Sequence, residues 1–87
     1  MWVFTKHVLA RMEERGFTHD DILMILDGDV PVLVYPSQKD KTVDLYFGKS
    51  GNRFLMIPAD RIEKTIITVR PMRKEEKAVF LKEMKNE

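Results

Sequence analysis

Apolar positions recur with two different periods along these 87 residues, and the switches between them divide the chain into helices and strands. Val8, Leu9 and Met12 lie on one arc at about 100° per residue. They are framed by Thr5, whose hydroxyl can cap a first turn, and by Gly16, which can take the left-handed conformation that ends a helix. A second helix is predicted from Thr18, an N-cap with Asp21 three residues on. It runs through Ile22, Leu23, Ile25 and Leu26 to the stop at Asp27-Gly28-Asp29. The two helices form a short hairpin across Gly16-Phe17.

Beyond this point the period drops to two. Residues 30–35 are β-branched and apolar and are bounded by Pro36, with Pro31 favouring an edge or strand-start position. After a polar turn at residues 37–41, Val43, Leu45 and Phe47 alternate with Asp44, Tyr46 and Gly48, the pattern of a half-buried strand. Ser50-Gly51-Asn52 turns the chain into a third strand over residues 53–58. Ala59-Asp60-Arg61 reads as a connection or bulge, residues 62–70 as the longest strand candidate, and Pro71 as its end. Lys77, Phe80, Leu81 and Met84 then mark one face of a helix over residues 73–85. The expected fold is α+β: one domain over residues 1–87, with two N-terminal helices, three or four antiparallel strands and a C-terminal helix. The helices are expected on one face of the meander.

Composition narrows the function classes. The chain has no cysteine, which excludes disulfides, thiolate metal sites and a cysteine nucleophile. Its apolar runs are far shorter than the roughly 20 residues of a membrane helix, and no leader segment is visible, so a cytoplasmic location without membrane contact is expected. Net charge is +1, which does not advertise a nucleic-acid binder. His19-Asp20-Asp21 crowds three ligand types together, but capping accounts for Asp21 and no second cluster accompanies it, so neither a metal nor a cofactor is expected.

The sharpest chemical feature is a stripe. His7, Arg11 and Arg15 lie within about 80° of each other on the first helix, beside its apolar arc. Such a stripe suits phosphate chemistry and equally suits a solvated edge; Arg11 is spaced to pair with Glu14.

Two segments carry a family resemblance. Lys6-His7, Arg11-Met12 and the run from Glu14 to Thr18 resemble the opening of a family of small uncharacterised prokaryotic domains. Arg61-Ile62, the run from Ile67 to Met72, and Glu75-Glu76 are similar to the closing signature of BrnT-type toxins. Both point to the RelE-like superfamily of toxin ribonucleases. The resemblance implies RNA or the ribosome as target, a cognate antitoxin as partner and metal-independent cleavage. By position, Arg61, Arg70 and Glu75 or Glu76 match the closing signature, and His7 and Arg11 the opening pair. The chain departs from the pattern in lacking a Ser or Thr cap at the last helix.

Such a ribonuclease deprotonates a 2′-hydroxyl, stabilises a dianionic phosphorane and protonates the leaving oxygen. The candidates for that chemistry are His7, Arg70, Glu75 and Glu76. Arg11, Arg15, Arg53 and Arg61 are candidates for holding phosphates, and Tyr46 for stacking a base. The alternative is a non-catalytic protein-interaction module of the same fold. A homodimer through residues 30–35 or an exposed sheet face is a further expectation.

Overall fold

The structure is a computed structural model that describes residues 1–85. The first two helices stand where their caps are written. Helix α1, Lys6–Arg15, begins on Thr5, whose Oγ1 accepts from the Val8 N–H at 3.2 Å, and ends on Gly16 at φ 71°. Helix α2, His19–Leu26, begins with both halves of a capping box: Asp21 N–H donates to Thr18 Oγ1 at 3.1 Å, and Thr18 N–H to the Asp21 carboxylate at 2.9 Å. None of the helices among the described residues is long and apolar enough to cross a membrane.

The strands are β1 (Val3–Phe4), β2 (Val32–Pro36), β3 (Val43–Ser50), β4 (Arg53–Asp60), β5 (Thr65–Ile66) and β6 (Arg70–Pro71), followed by α3 (Lys74–Lys85). Their order is β1-β5-β4-β3-β2, with β6 also on β4. The class is α+β, as the pattern predicts, but the sheet is larger than expected and mixed. β1, too short to leave a periodic signal, pairs parallel with β5.

The long strand expected over residues 62–70 is interrupted. Residues 61–64 form a turn in which Asp60 Oδ1 accepts from Ile62 and Glu63 N–H and Lys64 sits at φ 56°, so β4 continues through Asp60 instead of breaking at Ala59. Beyond the turn, Ala59 pairs with Ile66 but Met56 with Arg70. Three steps along β4 are therefore matched by four along its neighbour, a one-residue bulge. The bulge lets Ile66 and Val69, three apart, both point into the core, where both are completely buried. It also carries Pro71 into β6 as its last residue.

Register assigns the two faces of the sheet. A Cβ on Gly48 would lie 2.8 Å from Ile25, so Gly48 faces α2, and its cross-strand partner Leu55 shares that face with Ile57 and Ala59. There α1 and α2 close a core with Val8, Met12, Ile22, Ile25, Ile66 and Val69. Burying each of its isoleucines is worth roughly 1.5–3 kcal/mol. The opposite face carries Leu33, Tyr35, Val43, Leu45, Phe47, Phe54, Met56 and Pro58. Helix α3 packs on this second face through Phe80, whose ring meets Phe54 edge-on at 6.0 Å. Helices thus lie on both faces, not on one. The correction follows from the sequence of β2 and β4, which are apolar at odd and even positions alike, so that each face needs cover. On α3 itself Phe80 is buried, whereas Leu81 turns to solvent.

Candidate functional site

α3 covers only one end of the second face. Between the helix and the sheet lies a cavity of about 220 Å³ lined by Leu33, Tyr35, Phe47, Val79 and Phe80, with Glu75 and Glu76 at the helix side. Beyond it an open groove of about 1010 Å³ runs over Leu45, Met56, Pro58 and Ile67, bordered by residues 36–40 and by Arg70 and Arg73. Tyr35 and Phe47 line both spaces, with their rings edge-to-face at 5.9 Å. They make one continuous apolar surface.

Arg70 and Glu76 latch α3 beside this surface. Both guanidinium ends of Arg70 donate to the Glu76 carboxylate at 2.8 Å, a bidentate pair, and one Nη also donates to the Pro71 carbonyl at 3.0 Å. Glu76 Oε1 additionally accepts the Arg73 N–H at 2.7 Å. This supplies the return arm of a capping box and explains how α3 starts without Ser or Thr. The Arg70 hydrogen bonds hold the Glu76 carboxyl below its ordinary value, and the same bonds raise Arg70. A carboxylate committed in this way is a weak proton acceptor.

The remaining candidates are spread over the molecule. His7 is exposed in the first turn of α1. Arg11 pairs with Glu14 at 2.9 Å on the same helix. Arg15 donates to the Val69 carbonyl at 2.6 Å, tying α1 to the bulge. Arg53 donates to the Gly16 carbonyl and stacks over Phe17 at 5.0 Å. Arg15 and Arg53 are brought together at a shallow hollow beside Phe17 and Pro71, each already holding a backbone carbonyl. Arg61 clips the Lys41 carbonyl at 2.6 Å and Asp44 at 3.2 Å. Tyr46 lies on the helix-covered face, its ring edge-on to Trp2 at 6.0 Å, and burial followed by the nearby Asp44 charge raises its hydroxyl. Glu75 is exposed at the start of α3.

A single cleft containing His7, Arg11 and Arg70, which the ribonuclease reading requires, is therefore not assembled. α1 lies on the face of Leu55 and Ile57, while Arg70, paired with Met56, projects from the other. No family model, curated protein sequence or solved structure matches the chain.

The groove itself was not singled out from sequence. Its signals were the unbroken apolar run at residues 32–35, whose two sides cannot both belong to one core, and the apolar odd positions of β3 beside half-buried Tyr46. Arg73 is the other omission; its charge borders the groove without a carboxylate partner among the described residues.

Proposed function

We propose that this chain is a protein-interaction domain that binds without catalysing, and that its ligand is a segment of another protein held on the open sheet face. The observation that carries this reading is the open apolar surface of Tyr35, Leu45, Phe47 and Pro58, with buried Met56 beneath it and Lys39 and Arg73 at its border. Asp40, the one carboxylate lining that groove among the described residues, has its Oδ1 taken by the N–H and hydroxyl of Thr42. The occupant therefore carries apolar anchors flanked by Asp or Glu: one large side chain enters the smaller cavity, and carboxylates answer the two cations. With Arg70 committed to Glu76, Lys39 and Arg73 are the cations left along the groove among the described residues, too few to track a phosphate backbone, which makes RNA the poorer fit. In the toxin–antitoxin setting that the resemblance implies, such a segment belongs to the cognate antitoxin.

Peptide display against the immobilised protein tests this reading. Selected peptides are expected to pair apolar residues with flanking acids. Tyr35→Asp and Arg73→Glu each weaken binding by about tenfold or more, whereas Arg11→Glu leaves it unchanged. If no peptide is selected, or if total RNA is cut in EDTA by the wild type and not by His7→Ala, the proposal is overturned.

A further inference from the structure

We infer that two copies of this chain pair through β2, antiparallel about a two-fold axis at Val34, so that their sheets join into one. This edge adjoins the groove and shares Tyr35 and Lys39 with it, but the pairing rests on the outward backbone groups of β2 and not on what the groove binds.

Among the described residues β2 is the last strand on its side of the sheet, paired only with β3. Ser37 N–H donates to the Val43 carbonyl of β3 at 2.9 Å, which fixes the direction of the backbone groups along the strand. Residues 33 and 35 share that direction, so those of Val32, Val34 and Pro36 face outward. Pro36, which has no N–H to give, occupies an outward position, as an edge requires. What remains outward are the N–H groups of Val32 and Val34 and the carbonyls of all three residues.

With Val34 opposite its own copy, the two Val34 residues exchange both hydrogen bonds, and each Val32 N–H meets the partner's Pro36 carbonyl. That makes four bonds, with only the Val32 carbonyls left facing a proline. The side chains agree with this register. Val34, 47% exposed, meets Val34 of the partner subunit on one face. On the other face Leu33 meets the partner's Tyr35. β2 has no charged residue to deter such pairing, the usual protection of an exposed edge.

The charges just outside the strand choose a second copy as the occupant. The turn before β2 carries Asp27 and Asp29, and the turn after it carries Lys39 and Lys41 with Asp40 between them, its Oδ1 taken by Thr42, all exposed. The antiparallel arrangement brings the acidic turn of each copy to the end of the strand where the partner's basic turn begins, twice over by symmetry. A parallel pairing would bring acid to acid and base to base. The edge is complementary to itself in one direction only.

The test uses the full chain. Sedimentation across the micromolar to millimolar range is expected to show a species of twice the chain mass. Val34→Pro, which removes an outward N–H and leaves the bonds to β3 intact, is expected to be monomeric. Asp29→Lys weakens the dimer, and adding Lys39→Asp restores it. Should the proline variant fail to fold, trapping decides. Opposed residues of a hydrogen-bonded antiparallel pair sit about 5.5 Å apart at Cα, within disulfide reach. Val34→Cys in this cysteine-free chain is then expected to form a linked dimer on mild oxidation, whereas Val3→Cys on the opposite edge does not. A wild type that stays monomeric throughout overturns the inference. So does a dimer that survives Val34→Pro with Val34→Cys unlinked.

Discussion

The two faces of this sheet are built from alternate residues of the same strands and yet are finished in opposite ways. On one face α1 and α2 close over Leu55, Ile57 and Ala59, and the approach is so tight that only glycine fits at position 48. On the other, a single helix covers one end and is latched by one ion pair, while Tyr35, Leu45 and Phe47 line unfilled space. The first face carries stability. The second leaves apolar surface over, and that surplus is where function is to be sought.

The comparison breaks first under truncation. Ile57→Ala on the closed face is expected to cost about 2–5 kcal/mol in denaturant melts, because no side chain can collapse into the void, while Leu45→Ala on the open face costs less than about 1 kcal/mol. Equal losses would mean that both faces are packed alike. Gly48→Ala comes next: its methyl lands on Ile25, and overpacking of this kind costs about 1–3 kcal/mol. The equivalent substitution at Gly51, where nothing lies within 4 Å, carries backbone strain alone.

A smaller loss, on the order of 1–2 kcal/mol at neutral pH, is expected for Glu76→Gln, since the charge-assisted bonds to Arg70 are partly open to solvent. This loss sharpens the comparison through its pH dependence. Glu76 is held below the ordinary glutamate value of 4.5, so its contribution is complete above that pH and fades as pH falls through the lowered value. Wild type and Glu76→Gln should therefore converge in stability on acidification. A gap that stays constant to acid would show the latch to be unimportant. The smallest effect belongs to Arg11→Ala, whose exposed pair with Glu14 is worth at most about 0.5 kcal/mol.

Much of the architecture was legible because it is local. Thr5, Gly16, Thr18 and Asp21 set both ends of α1 and the start of α2 through contacts within three or four residues. Val43, Leu45 and Phe47 declared their strand by alternation alone. The candidate site was less legible, because its residues belong to no single element. Arg70 and Glu76 were both marked, but only the bulge and the start of α3 make them partners and commit the carboxylate. Tyr46 was assigned to the polar side of its strand. That side is the one α1 and α2 cover, where its ring packs on Trp2.

By itself, the sequence determined the α+β class, the capped helices, the hairpin strands and the absence of cysteine chemistry. Each of these follows from neighbours within a few residues or from composition. Only the tertiary structure decided the rest: the parallel β1, the bulge that turns Ile66 and Val69 the same way, the placement of α3 on the second face, and the distribution of the cations. These depend on which distant segments meet. A short strand such as Val3–Phe4 has no pattern of its own, and a side chain takes its role from the partner it finds.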